Sequence, residues 1–149
     1  MSTPSIRRVS YSEILSAPNA QRLIAEYAAE CSIPDAEPQV AMYAAMEQAG
    51  ALACFGAYAD EELVGFISIV TSPMPHNGKR VATVESFFVR SLLRGCGAGN
   101  FLLDAAEEYA TESGCLGILN TARIGSRLDN VLRRRAGYEA THTVHTRWL

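Results

Sequence analysis

The sequence is poor in cysteine, and its four cysteines are not grouped. They lie far apart and form no C-x-x-C pair: Cys31, Cys54, Cys96 and Cys115. This spacing argues against a zinc site and against a disulfide framework, and it suits the reducing cytoplasm. We therefore expect no bound metal.

The sequence also lacks a long apolar run. No stretch approaches the ~18 apolar residues that a membrane-spanning helix needs. Arg7 and Arg8 are not followed by the apolar segment of a signal peptide. With 48% hydrophobic and 19% charged residues, the composition is typical of a soluble globular protein. We expect a cytoplasmic protein that does not contact a membrane.

Charge is unevenly distributed along the chain. Residues 1–113 contain seven basic and fourteen acidic residues, whereas residues 114–149 contain six basic and two acidic ones. The basic end includes Arg123, Arg127 and the run 133–135, which either attracts an anion such as a nucleotide phosphate or forms a solvated helix face. Because the pI is near 5.6 and no basic stripe is interleaved with aromatic residues, we expect no nucleic-acid partner.

A length of 149 residues predicts a single domain over residues 1–149. Hydrophobic periodicity, turn formers and capping residues predict an α/β or α+β fold, in which helices pack on a sheet. The predicted strands are 5–9, 52–58, 63–70, 81–89, 116–119 and 138–148. The first predicted helix begins at Pro18, and the second spans 38–48. The third runs from the glycines at 95–99 to about Ser113, and the fourth runs from Ser126 to Gly137.

Three glycines, Gly95, Gly97 and Gly99, stand between a predicted strand and a predicted helix. Glycines let a ligand approach the backbone closely, and the first N–H groups of a helix have no partner within it. These groups and the helix dipole favour an anion such as a pyrophosphate. The alternative is a tight turn without a ligand, although three glycines in five residues exceed what a turn requires. The spacing differs from a Rossmann G-x-G-x-x-G loop, and no Gly-Lys-Ser/Thr is present.

The spacing Arg94-x-x-Gly97-x-Gly99, with the order of the predicted elements from about residue 5 to 147, resembles the GNAT (Gcn5-related N-acetyltransferase) superfamily. The resemblance implies a mixed, mostly antiparallel sheet of six to seven strands flanked by about four helices, with a splayed strand pair that binds acetyl-CoA. It implies acetyl transfer from acetyl-CoA to a primary amine of a small molecule or protein. Family members commonly dimerise, and an exposed edge strand at 138–148 would permit a homodimer.

The same resemblance assigns residues to the cosubstrate. The backbone of Phe87, Phe88 and Val89 would pair with the pantetheine arm, and Asn120 would face it. Arg123 or Arg127 would approach the 3′-phosphate. The backbone amides of the loop would hold the pyrophosphate, and they belong to Arg94, Gly95, Cys96, Gly97, Ala98, Gly99 and Asn100.

Glu85 is the candidate general base. Attack on a thioester needs a neutral amine, so a base must take the proton of the ammonium near neutral pH. By the alternation of a strand, Glu85 and Val89 are expected on the same face. In the GNAT family an acidic residue near this place often serves as the base. The alternative is a glutamate that only pairs with an arginine.

The general acid departs from the family pattern. Where the resemblance places a tyrosine that protonates the leaving thiolate, this sequence has Arg133, and an arginine is not a proton donor at neutral pH. Arg133 would instead stabilise a thiolate or bind phosphates. This leaves open a second hypothesis, a domain that binds acyl-CoA or a partner protein without turnover.

The acceptor amine is not determined by the sequence, although the acidic N-terminal portion would suit a cationic one. Tyr27, Tyr43 and Met46 lie on the two helices that wall the acceptor site in this family, and ordinary core packing is the alternative. His142 and His145 are three residues apart in a predicted strand, so they cannot form a compact metal pair.

Overall fold

A computed structural model describes residues 2–149, and within them it contains five strands, five α-helices and one short 3₁₀-helix (Ser91–Leu93). The strands are β1 (Ser5–Val9), β2 (Leu52–Ala59), β3 (Glu62–Pro73), β4 (Arg80–Val89) and β5 (Ile118–Leu119). The helices are α1 (Tyr11–Ser16), α2 (Ala20–Glu30), α3 (Val40–Gln48), α4 (Ala98–Glu112) and α5 (Arg127–Arg134). The chain divides into two compact units, residues up to Leu119 and residues 120–149.

The first unit is built on one sheet with the strand order β1-β2-β3-β4-β5. The first four strands are antiparallel neighbours. The last pair is parallel and short, since only Ala82–Ile118 and Thr83–Leu119 are paired. Beyond Thr83, the outer edge of β4 has no strand partner among the described residues.

Helices cover both faces of this sheet. On one face α1–α3 pack on a cluster that includes Ile14, Leu23, Cys54, Phe66 and Phe88. On the other face lies α4, whose Tyr109 contacts the ring of Phe55 in β2. The buried face of α4 comprises Ala98, Leu102, Leu103, Ala106 and Ala110, which follow helical spacing. The predicted fold class is confirmed.

The strand count and the last strand of the prediction are wrong. The sheet has five strands instead of six to seven, because residues 138–148 form no strand. That segment alternates threonine with histidine and valine, but a strand needs a neighbour to accept its backbone hydrogen bonds, and side-chain preference alone does not supply one. Val144 and Trp148 are exposed. A homodimer through an edge strand at 138–148 stays a prediction, and the structure contains no strand there that could form it. The single domain over residues 1–149 also stays a prediction.

The sequence analysis also missed α1. Ser10 is its N-cap, and the side chains of Ser10 and Glu13 bond each other's backbone N–H groups in a capping box. This capping box supplies acceptors for the free N–H groups of a short helix.

No helix within residues 2–149 is long and apolar enough to cross a membrane. Those residues also contain no cluster of three or more metal-ligating side chains.

The buried Cys54 gives a test of the core beneath α1–α3. Its side chain is fully buried, and burial, with the nearby charges of Glu47 and Glu85, raises the pKa of its thiol to about 12. Because thiol reagents attack the thiolate, we expect a native protein to titrate three thiols quickly and the fourth only after denaturation. A Cys54→Ala variant is expected to titrate three in both states. Four thiols reacting at one rate in the native wild type would contradict this core.

Candidate active site

Glu85 is the extra residue of a β-bulge in β4. Across the β3–β4 pair Ser68 faces Ser86 and Ile69 faces Val84, which leaves Glu85 without an opposing residue. A bulge interrupts the alternation of side chains along a strand and re-aims the residue it adds. Glu85 and Ser86 therefore both point to the face that α1–α3 cover.

The prediction that Glu85 and Val89 share a face is wrong. Val89 and Phe87 point toward α4, since their side chains lie 3.9 and 3.5 Å from the position that a Cβ atom would take on Gly99. Glu85 instead reaches Tyr43 of α3. Side chains four residues apart in a regular strand point to the same face, but this rule does not hold across the bulge, because one residue is added to β4 and none to β3.

Two hydroxyl groups hold the carboxylate of Glu85. Tyr43 Oη donates to Oε1 at 2.8 Å, and Ser68 Oγ donates to Oε2 at 2.6 Å. Ser68 is buried in the sheet and shares a further hydrogen bond with Ser86. Both carboxylate oxygens are thus fixed in direction, while the side chain stays accessible to solvent. The alternative of a glutamate that pairs only with an arginine is not what the structure shows, since the described contacts of Glu85 are hydroxyl groups.

Glu85 lines a pocket of about 160 Å³ between the sheet and the first helices. Tyr11, Tyr27 and Tyr43 form much of its wall, and the rings of Tyr11 and Tyr43 stack at 3.9 Å. Of the three residues predicted to wall an acceptor site, Tyr27 and Tyr43 line the pocket. All three also pack against the core cluster, as the alternative had it, and Met46 is not among the residues that line the pocket.

The three phenols of the pocket are held in their neutral form. Burial, then the charge of Glu85, raises the pKa of Tyr11 to about 12. Burial also raises the pKa of Tyr27, with a smaller contribution from Cys31. In Tyr43 burial and the hydrogen bond to Glu85 raise the pKa further. These tyrosines therefore act at neutral pH as hydrogen-bond donors and aromatic walls, never as anions.

The glycine-rich loop ends in a backbone geometry that favours glycine. Gly95 and Gly97 have φ angles of 104° and 94°, in the region that residues with a Cβ atom rarely adopt. Gly97 is the N-cap of α4, and no side chain caps this end. The first amides of a helix without a cap are a ready site for an anion, so the loop fits a pyrophosphate.

The side chain of Arg94 anchors the loop to its surroundings. Its guanidinium group donates to the carboxylate of Glu30 at 2.6 Å and to the carbonyl of Val89 at 2.8 Å. It also lies over the ring of Phe88, 5.5 Å from the centroid. The guanidinium ties the loop to α2 and to the end of β4, so what the loop offers a ligand is its backbone.

The open edge of β4 exposes the backbone of alternate residues. The N–H of Arg90 donates to the carbonyl of Val64 in β3 at 3.0 Å. Since backbone groups in an antiparallel pair alternate between the two edges, those of Phe87 and Val89 point away from β3. Those of Phe88 point toward β3, and its ring is buried in the core. Because the carbonyl of Val89 already accepts from Arg94, the outward groups left on this edge are the backbone of Phe87 and the N–H of Val89.

Asn120 and Arg133, two residues singled out in the sequence, belong to the second unit. Asn120 follows β5 directly, and both polar atoms of its side chain are buried without a hydrogen-bond partner among the described residues. Arg133 donates to Asp129 on its own helix at 2.9 Å. The N–H of Gly125, which also donates to Asp129, and then the bond from Arg133 lower the pKa of the Asp129 carboxyl. The charge of Arg133 is thus already paired within α5.

Comparison with known proteins decides the family. The model of the acetyltransferase (GNAT) family matches residues 20–138. The chain belongs to this family. The enzyme class expected from the sequence, an acetyl-CoA-dependent N-acetyltransferase, is confirmed by this membership. No curated protein matches the sequence.

Solved structures show the same fold at low sequence identity. An aminoglycoside acetyltransferase from an uncultured soil metagenomic sample, in complex with sisomicin, has a TM-score of 0.77 at 17% identity, over 99% of this chain and 96% of that one. A ribosomal-protein-alanine N-acetyltransferase from Brucella melitensis biovar Abortus 2308 has a TM-score of 0.74 at 22% identity, over 99% of both chains. An aminoglycoside N-acetyltransferase in complex with CoA has a TM-score of 0.74 at 21% identity, over 98% and 94% of the chains.

Ser68 tests whether this GNAT-family chain uses its hydroxyl groups to orient Glu85. We expect Ser68→Ala to lower kcat about tenfold, because Glu85 loses one of its two donors, and a hydrogen bond to a charged group contributes on the order of 1.5–3 kcal/mol. The KM for acetyl-CoA is expected to stay within about twofold. Ser72→Ala, an exposed serine on the same strand, is the control. An unchanged kcat in Ser68→Ala would show that Tyr43 alone orients the carboxylate.

Proposed function

We propose that this GNAT-family enzyme transfers an acetyl group from acetyl-CoA directly to a primary amine, with Glu85 as the general base. The observation that carries the proposal is the placement of Glu85. The bulge in β4 turns its carboxylate into the pocket beneath α1–α3, and the open edge of the same strand includes Phe87, two residues later. A base beside an amine pocket and a backbone edge for the cosubstrate are the two parts that this reaction requires.

The residues of the first unit divide the work. The amides of Gly95 and of residues 97–100 bind the pyrophosphate, whereas the predicted amides of Arg94 and Cys96 already donate to the carbonyls of Ser91 and Leu93. The outward backbone groups of Phe87 and the N–H of Val89 bind the pantetheine arm. Acetyl-CoA supplies the reactive thioester. Glu85, held by Tyr43 and Ser68, accepts a proton from the ammonium group of the acceptor, directly or through one water. The neutral nitrogen then attacks the thioester carbonyl, the C–S bond breaks so that CoA leaves as its thiolate, and the nitrogen releases its surplus proton to solvent.

The general acid is not Arg133. Its guanidinium group is paired with Asp129 and does not release a proton at neutral pH. Because a thiol has a pKa near 8.5, the thiolate is a competent leaving group, and we propose that solvent protonates it.

The structural neighbours are named for acetylation of aminoglycosides and of a ribosomal-protein alanine, and both are amines. Free cysteines throughout the described chain support a cytoplasmic setting.

Calorimetric titration and thiol release test this function together. We expect micromolar binding of acetyl-CoA and CoA and no binding of NADH, because the loop does not have dinucleotide spacing. With a panel of primary amines, release of free CoA thiol that depends on the amine would establish transfer. Binding of acetyl-CoA without release for any amine would support the domain that binds without turnover. Absence of acetyl-CoA binding would reduce the glycine loop to a turn.

A further inference from the structure

The pocket beside Glu85 has walls suited to an apolar body. Apart from the three tyrosines, the side chains that line it include Ile14, Ile24, Ile33 and Phe66. Aliphatic and aromatic walls gain free energy when they exclude water from an apolar ligand. Aliphatic groups cannot bond the hydroxyl groups of a sugar, so a polyhydroxylated ligand would lose its hydrogen bonds with water against them.

The charged groups of the pocket are few, and all of them are acidic. The carboxylates of Glu37 and Glu85 line it, and none of its described lining residues is basic. The phenols of Tyr11, Tyr27 and Tyr43 are neutral hydrogen-bond donors and present aromatic faces, to which a cation is attracted. The pocket therefore suits a cationic ligand whose reacting amino group lies at Glu85, and Glu37 is a second acidic group of its lining.

The volume of the pocket limits the size of the body that accompanies this charge. The pocket measures about 160 Å³, and an apolar protein cavity of ~150 Å³ holds one benzene molecule. Pockets for drug-sized ligands begin at roughly 300 Å³. A single ring or a branched chain of similar size fills this volume, whereas most of a ligand of several sugar rings would lie outside it.

We propose that the acceptor is a primary amine that carries a single apolar body of about the size of a benzene ring, such as an arylalkylamine or a branched alkylamine. This inference rests on the proposed function, because it specifies the amine that Glu85 deprotonates. The apolar body lies against Ile24 and Ala28 of α2, and the amino group lies at Glu85. This class of amine differs from the aminoglycosides named for several structural neighbours.

A substrate series tests the class. We expect kcat/KM for phenethylamine to exceed that for ethanolamine by about 10- to 100-fold, which is the gain for burial of one aromatic side chain. We also expect it to exceed the values for spermidine and sisomicin. A higher kcat/KM for spermidine, sisomicin or ethanolamine than for phenethylamine would overturn the inference. Saturation-transfer NMR with phenethylamine and its neutral analogue 2-phenylethanol reports binding independently of turnover.

The two measurements separate the inference from the proposed function. The protein could bind phenethylamine in preference to 2-phenylethanol and ethanolamine without acetylating any amine. This result would support the proposed class of ligand and contradict the proposed acetyl transfer. Acetylation of polar amines without binding of phenethylamine would support the proposed acetyl transfer and contradict the proposed class of acceptor amine. Failure of both binding and transfer would overturn both.

A pair of alanines on α2 provides a matched test of the apolar wall. Ala28 lines the pocket, and the next residue, Ala29, is exposed and does not. We expect Ala28→Leu to lower kcat/KM for phenethylamine at least tenfold relative to that for ethylamine, because leucine occupies the space of the ring. Ala29→Leu is expected to leave the ratio unchanged. An equal effect of Ala28→Leu on both amines would contradict the assigned position of the body.

A second variant keeps the wall testable if Ala28→Leu does not fold. Ile24→Ala enlarges the same side of the pocket, and we expect it to raise the ratio of kcat/KM for 2-(1-naphthyl)ethylamine to that for phenethylamine at least fivefold. Circular dichroism melting curves of each variant monitor folding. A ratio unchanged from wild type in folded Ile24→Ala would place the body elsewhere and overturn the inference.

Discussion

Replacing Glu85 with glutamine is expected to lower kcat at pH 7 by about 100- to 10,000-fold, the range typical of loss of a general base. Glutamine keeps the size of the side chain and can still bond Tyr43 and Ser68, but it cannot accept a proton from an ammonium group. The dissociation constant of acetyl-CoA is expected to stay within about twofold, since the loop and the open edge of β4 are unchanged. Steady-state kinetics and calorimetry measure the two quantities.

The pH dependence of this loss distinguishes a base from a structural residue. An alkylamine is largely protonated below a pKa near 10, and above it the free amine needs no base. We therefore expect the deficit of Glu85→Gln to shrink as the pH rises from 7 toward 10. The control Glu108→Gln removes the same charge from an exposed position of α4 and should match wild type. A deficit that stays constant with pH would remove Glu85 as the base.

Replacing Gly97 with valine is expected to weaken acetyl-CoA binding about 100-fold or more. Gly97 has φ of 94°, and an added Cβ would lie 3.2 Å from the ring of Phe101. A β-branched residue does not adopt this conformation without strain, so the backbone has to turn and its amides lose their direction. Loss of two charge-assisted hydrogen bonds costs roughly 3–6 kcal/mol. Calorimetric titration gives the dissociation constant.

Gly114, beyond the other end of α4, is the matched control. It has φ of 70°, and a Cβ placed on it would meet no atom within 4 Å. Gly114→Val therefore introduces similar backbone strain on the same helix without touching the loop. We expect it to lower the melting temperature and to leave acetyl-CoA affinity within about twofold. Equal weakening of binding in both variants would show that the stability of α4, and not the loop geometry, limits affinity.

The sequence predicted the elements whose signals are local. The apolar segments of β2 to β4, the glycines before α4 and the cap at Ser126 each depend on neighbours a few residues away. The last predicted strand failed because a strand depends on a partner that is distant in sequence. Helix α1 was predictable, since Ser10 and Glu13 have capping-box spacing, but the helix is short and its apolar pattern is weak.

The candidate site was predictable in its residues and not in its geometry. Glu85 stood out as a carboxylate among apolar neighbours, and its assignment as a base stays a prediction for kinetics. Its face was predicted wrongly because a bulge is a property of two paired strands, visible only when the register of β3 is known. Ser68 and Tyr43 are 17 and 42 residues from Glu85, and no spacing rule connects them. Contacts of this kind arise from the packing of the sheet with α3.

The segment of β4 from Glu85 to Val89 has no side that is free of a contact or a ligand role. One edge bonds β3, the opposite edge is open to a ligand arm, one face carries Glu85, and the other face packs on α4. β1 differs, because it lies at the edge of the sheet and has one buried residue, Val9. Under random mutagenesis, substitutions should therefore be rarest among active clones at 85–89 and common at 5–8. Divergence of the enzyme toward new amines would proceed through the pocket residues of α2, while this short strand segment stays fixed.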